Sequence, residues 1–189
     1  MNSKTMVIAV NAVSGGGKTT ITKELVGRLK NAKALYFDDY DGIDDNVPDI
    51  HQWVEDGADY DLWELQSIAD DIIQVLAEGS VDYIILDYPF AYKQRQVAGF
   101  IDWSVYIDTP LDVALARRII RDFSLQGRAD TILQELDAYL YTRSAYFYSQ
   151  AVNKDADLTV DGNLDTAAIV DIIIKKLAEK MGETEKNKK

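Results

Sequence analysis

The sequence predicts an α/β fold of three layers, a five-stranded, mostly parallel sheet with helices on both faces. Two observations predict it. Short apolar runs of strand length alternate with longer helical patterns along the 189 residues, the pattern of right-handed strand–helix–strand crossovers that lay strands side by side in parallel. The residue clusters able to do chemistry fall where an apolar run ends, and in such sheets ligands bind beyond the carboxyl ends of the strands.

The elements follow in order. Met6–Val10 is a buried first strand, and Lys18–Lys30 a helix with Ile21, Leu25 and Leu29 on one face. Ala34–Phe37 is a second strand. Asp39–Asp61 reads as acidic and irregular, punctuated by Gly42, Pro48 and Gly57. Leu62, Leu65, Ile68, Ala69, Ile72, Ile73 and Leu76 mark a long amphipathic helix. Tyr83–Leu86 and Trp103–Ile107 are the third and fourth strands. Thr109 reads as an N-cap, with Pro110 in the first helical position and Asp112 in the first turn, opening a helix to about Gln126. A further helix is expected over about Thr131–Lys154, a fifth strand over Leu158–Val160, and a turn at Asp161-Gly162-Asn163. The last helix covers about Thr166–Met181, with Gly182 as its stop.

Composition narrows the function. A hydrophobic content of 47% over 189 residues suits one compact domain, expected over residues 1–182, with a disordered tail at 183–189. A formal net charge of -12 argues against nucleic-acid and anionic-membrane partners. No apolar run approaches the length of a membrane span or a signal segment, and there is no cysteine, so a cytoplasmic location is expected. The tyrosines and phenylalanine at Tyr139, Tyr141, Tyr146, Phe147 and Tyr148 are too many for a solvated helix; core packing and a homodimer face both account for them.

The segment Ala12–Thr20 carries the strongest signal. Ser14-Gly15-Gly16-Gly17-Lys18-Thr19-Thr20 follows the first strand and opens the first helix, the context a phosphate-binding P-loop requires. Glycines let the backbone turn its N–H groups around a phosphate, and the helix N-terminus adds its positive dipole end. Lys18 is placed to reach the β- and γ-phosphates of a purine nucleoside triphosphate, and the Thr19 hydroxyl to coordinate Mg2+. Ala12 stands where the first glycine is usual.

Two strand ends supply carboxylates. Asp38 and Asp39 end the second strand, where a carboxylate could take the proton of an attacking hydroxyl or hold a magnesium-bound water. Asp87 ends the third strand after Ile84-Ile85-Leu86, the position of a metal-supporting Walker B acid. Asp41, Asp44, Asp45 and Asp49 read as a solvated loop. Among only 20 basic residues, Arg117, Arg118 and Arg121 share a helix at spacings of four and three, and Arg128 follows Gly127. Cations grouped this way can close over a transferring phosphoryl group, or can form salt bridges with Asp112, Asp122 and Asp130.

In these residues the chain resembles the uridine kinase-like branch of P-loop kinases, itself similar to the nucleoside monophosphate kinases. The resemblance rests on the glycine-rich loop, on Phe37-Asp38-Asp39-Tyr40, on Ile107-Asp108-Thr109-Pro110 with Ala116-Arg117-Arg118-Ile119-Ile120-Arg121-Asp122 and Gln126-Gly127-Arg128, and on Ala156-Asp157-Leu158 through Gly162-Asn163. It implies a P-loop NTPase fold with a helical lid and ATP-dependent transfer of the γ-phosphate to the hydroxyl of a small acceptor. It also implies that Asp38 is the base, with lid arginines stabilising the transferred phosphate. Gln126 stands where that family has an arginine, and the short stretch between Asp38 and Asp87 lacks the family's hairpin and histidine-bearing segment. In their place stand His51, Trp53, Asp59, Tyr60, Asp61 and Trp63, which read either as an acceptor pocket or as an aromatic cap on the core. On this reading Lys18, Asp38, Arg117, Arg121 and Arg128 are catalytic, Ser14–Thr20 bind nucleotide, and Thr19 and Asp87 hold the metal. Asp38, Asp39, Tyr40 and Asp61 contact the acceptor. A nucleotide sensor or slow NTPase without an acceptor is the alternative.

Overall fold

A computed structural model describes residues 5–40, 49–123, 130–134, 136–137, 139–140 and 152–186 of the chain. Five strands form one sheet: β1 (Met6–Asn11), β2 (Ala32–Tyr36), β3 (Tyr83–Asp87), β4 (Trp103–Asp108) and β5 (Leu158–Asp161), in the order β2-β3-β1-β4-β5. Every pairing is parallel. The helices are α1 (Lys18–Arg28), α2 (Ile50–Glu55), α3 (Gln66–Glu78), α4 (Arg95–Ala98), α5 (Leu111–Phe123) and α6 (Thr166–Lys186). Residues 130–134, 136–137 and 139–140 are helical as well.

The three layers follow from alternation within the strands, since successive strand side chains point to opposite faces. Along β1, Ile8 and Val10 enter the core shared with Ile21 and Leu25 of α1 and with Ile169, Ile173 and Leu177 of α6. Val7 and Ala9 enter the core shared with Ile68, Ile72 and Val75 of α3. Both faces are covered, which is why the strands read as nearly continuous apolar runs. From the central β1 the chain crosses to β2 on one side of the sheet, and from β3 it crosses over β1 to β4 on the other. A crevice therefore opens at the carboxyl end of β1, and the expected phosphate loop leaves the sheet there.

The structure revises four expectations. Asp39–Asp61 is not wholly irregular, because Asp49 caps a short helix by accepting from the Gln52 amide at 2.9 Å. The amphipathic helix begins at Gln66 rather than Leu62, which stands in a 3-10 turn. Of the helix expected over Thr131–Lys154, Val152–Asp155 is a 3-10 turn, and Tyr141, Tyr146, Phe147 and Tyr148 lie outside the described residues. The last helix passes through Gly182 to Lys186 and takes in part of the expected tail. One glycine costs a helix about 1 kcal/mol, and the surrounding Ala, Glu, Lys and Met are strong helix formers.

Candidate functional site

The residues beyond the carboxyl ends of β1, β2 and β3 line a single cleft of about 1050 Å3. One side is the loop Ala12–Thr20, of which Ala12 and Ser14 through Thr20 line the cleft. The loop turns on a hydrogen bond from the Gly16 amide to the Val13 carbonyl at 2.8 Å. A Cβ added to Gly16 would stand 2.7 Å from the Cβ of Ala12. That contact explains the departure at the first glycine position: the methyl of Ala12 uses the space that Gly16 leaves.

The register brings the acids to this loop. Asp87 pairs with Val10 on one side and Tyr36 on the other, at the mouth of the loop. The Thr19 hydroxyl donates to Asp87 Oδ2 at 2.5 Å, and Lys18 Nζ stands 3.9 Å from Asp87 Oδ1. Burial pushes the Asp87 carboxyl above its ordinary range, and the nearby charge of Asp38 adds to the rise. The Lys18 ammonium and the Thr19 hydroxyl pull the other way. Asp38 lines the cleft; Asp39 is exposed and does not.

The donor set fits a hard divalent cation. The Thr19 hydroxyl and the Asp87 carboxylate are both oxygens. Among the described residues no group of three or more His, Cys, Asp or Glu could hold a metal ion. Mg2+ is held in this way, by one or two protein oxygens with substrate phosphates and water completing its shell. The arginines come from α5, which docks on the loop. A Cβ on Gly15 would meet the Ala114 carbonyl at 2.1 Å and the Arg118 Cβ at 3.3 Å, so the loop packs directly on the helix backbone. Arg117 and Arg121 line the cleft. Asp122 pairs with Arg121 through Nε at 2.6 Å and Nη2 at 3.1 Å, and with Arg118 at 3.7 Å. These bonds hold the Asp122 carboxyl below its usual range. Gln126, Gly127 and Arg128 lie outside the described residues.

The opposite side of the cleft is aromatic. Phe37, Trp53, Tyr60, Trp63 and Phe90 line it. Phe37 meets Phe90 edge-on at 5.4 Å between centroids, Trp53 meets Tyr60 at 5.2 Å, and Trp63 meets Phe90 at 5.1 Å. Of the residues expected either to cap the core or to form a pocket, Trp53, Tyr60 and Trp63 pack on one another or on Phe90 and also line the cleft, Asp59 and Asp61 do not line it, and the His51 side chain lies outside what is described. Two residues expected to contact the acceptor are bonded to neighbours of this wall. The Tyr40 hydroxyl donates to Asp71 of α3 at 2.6 Å. Asp61 accepts from the Arg95 amide at 2.8 Å and pairs with Arg95 Nε at 2.7 Å.

Buried Gln94, which the sequence reading passed over, completes the attachment. Its Nε2 donates to the Trp63 carbonyl at 3.1 Å, and the Leu65 amide donates to Gln96 at 2.9 Å. Phe90, Gln94 and Gln96 carry no local pattern that marks them. They join or tie down the aromatic wall only because the chain after β3 folds back onto residues 61–65.

Comparison with known proteins agrees with this geometry. Residues 76–167 match the model of the phosphoribulokinase / uridine kinase family. The uridine kinase of Streptococcus mutans is 25% identical over 97% of this chain and 100% of its own length. The uridine-cytidine kinase B of Dictyostelium discoideum is 22% identical over 97% of this chain and 85% of its own. Among solved structures, shikimate kinase from Aquifex aeolicus superposes with a TM-score of 0.53 at 16% identity, covering 93% of this chain and 98% of that one, a likeness of fold.

Proposed function

We propose that the chain, similar to uridine kinases over nearly its whole length, is an ATP-dependent phosphotransferase that transfers the γ-phosphate of ATP to the hydroxyl of a nucleoside. The observation that carries this reading is the single cleft that joins the phosphate loop, Asp38 and the aromatic wall. A planar base stacks favourably on such rings.

Each wall has its part. The loop amides and Lys18 hold the β- and γ-phosphates. Thr19 and Asp87 would hold Mg2+, which neutralises charge on the β- and γ-oxygens. Asp38 accepts the proton of the acceptor hydroxyl as its oxygen bonds to the γ-phosphorus. The bond from that phosphorus to the bridging oxygen breaks, and ADP leaves with the electron pair. Arg117 and Arg121, from the helix packed on the loop, and Arg128 beyond it, offset charge on the transferring group. Phe37, Tyr60, Trp63 and Phe90 hold the acceptor, and Asp39 stands beside the entrance.

A panel of nucleosides, sugars and vitamin-like alcohols, read by ADP release, tests the reading. Stimulation by nucleosides is expected. Release that never exceeds the acceptor-free background, in a protein that still binds ATP, would overturn it.

A further inference from the structure

Thr109 is buried at 1% exposure and does not cap α5 as its sequence position suggests. The first helical bond of α5 runs from the Ala114 amide to the Pro110 carbonyl, and the Thr109 hydroxyl instead donates to the Gly16 carbonyl of the phosphate loop at 2.9 Å. Its place is kept by the turn after β5. The Gly162 amide donates to the Asp108 carbonyl at 2.9 Å, and a Cβ on Gly162 would stand 2.0 Å from the Thr109 hydroxyl oxygen. Only glycine lets β5 approach this closely.

The bond controls one peptide plane. The Gly16–Gly17 peptide is trans, so its C=O and N–H point in opposite directions. A Gly16 oxygen held toward buried Thr109 directs the Gly17 N–H to the other side, and Gly17 lines the cleft. Neither flanking residue has a Cβ, and Gly17 adopts φ 100°, so nothing local prevents this peptide from turning over. The Gly16 amide itself is already spent within the loop on Val13.

We infer that Thr109 is a positioning residue for phosphate binding: its hydroxyl, kept in place by Gly162, fixes the Gly16–Gly17 peptide so that the Gly17 N–H faces the triphosphate. The inference rests on the reading of this loop as the nucleotide cradle. It predicts an effect confined to the phosphates and indifferent to the base and the acceptor.

Thr109→Val keeps the shape and removes the donor, while Thr109→Ser keeps the donor. Titrations with ATP and with inorganic triphosphate are expected to show both dissociation constants raised about tenfold in Thr109→Val and close to the parent value in Thr109→Ser. Gly162→Ala, which pushes the hydroxyl away without removing it, is expected to repeat the loss. In the unaltered protein the Gly17 amide resonance is expected to shift when inorganic triphosphate is added, a readout that stands even where a variant fails to fold. Unchanged affinities in Thr109→Val, a loss for ATP without a loss for triphosphate, or a silent Gly17 amide would overturn the inference. A parent protein that binds neither ligand would instead remove the nucleotide reading on which the inference depends.

Discussion

The two walls of the cleft are built on opposite principles. The phosphate wall is a contiguous run of sequence whose ligand-binding groups are mostly backbone amides, so its chemistry depends on where glycines stand. The aromatic wall gathers Phe37, Trp53, Tyr60, Trp63 and Phe90 from separate segments, and its chemistry depends on side chains held by distant partners. Asp61 and Gln96 accept from main-chain amides, and Gln94 donates to a main-chain carbonyl, across more than thirty positions of sequence. On the proposed reading, the first kind of wall takes something invariant, a phosphate chain, and the second, built from side chains, can be re-cut for a different acceptor without touching the first.

That contrast predicts which constants each substitution moves. The largest loss is expected for Lys18→Ala: about a 10^3-fold drop in kcat/KM, because a cation placed for the phosphates is removed from the cleft. Initial rates over a range of ATP concentrations measure it. Asp87→Asn follows, with apparent Mg2+ affinity lowered about 10- to 100-fold through the lost hold on Thr19. A Mg2+ titration of ADP release checks this, and an unchanged half-saturation would remove Asp87 from the metal's support.

On the other wall, Trp63→Leu is expected to raise the acceptor KM about tenfold and leave the ATP KM in place, since one stacked ring contributes about 1–3 kcal/mol. A rise in the ATP KM instead would show that the two walls are not separable. Gln94→Leu leaves the part-buried Trp63 carbonyl without its side-chain donor and should cost about 1 kcal/mol of stability. Thermal unfolding reads that loss, and the acceptor KM should rise with it.

The smallest effect is expected away from both walls. Burial raises the Tyr106 phenol from 10.0 to about 12, and its hydroxyl has no hydrogen-bond partner among the described residues. An acid whose pKa is raised by folding binds its proton more tightly in the native state. Its stability contribution is therefore whole below pH 10.0 and is lost as pH climbs from 10.0 toward about 12. Tyr106→Phe, which removes a buried hydroxyl without a partner among the described residues, should be at least as stable as the parent at pH 7 and resist alkaline unfolding better above pH 10, as followed by circular dichroism. Equal alkaline midpoints would assign that transition to other groups.

The same contrast explains what could be read from sequence. Ser14–Thr20 declare themselves because a backbone cradle needs its glycines, lysine and hydroxyl at fixed spacing behind a strand. The five strands declare themselves because they are buried on both faces, and Asp38 and Asp87 because strand ends in a parallel sheet converge on one edge. Tyr40 and Asp61 looked like acceptor ligands, being polar and near the site in sequence. Whether such groups face the cleft or tie down Asp71 and Arg95 is decided by partners thirty or more residues away. Thr109 shows the same limit at closer range: a threonine before a proline has the pattern of a cap, and only the approach of Gly162 and Gly16 turns its hydroxyl to the loop.

Asp38 lies where the two walls meet, so Asp38→Asn tests the account most directly. The side chain keeps its size and loses its capacity to take a proton. With the stimulating nucleoside present, ADP release is expected to fall at least about 10^2-fold while ATP still binds with its original affinity. Acceptor-stimulated release that survives intact in Asp38→Asn would contradict the assignment of Asp38 as the base and the placement of the transfer at the meeting of the two walls.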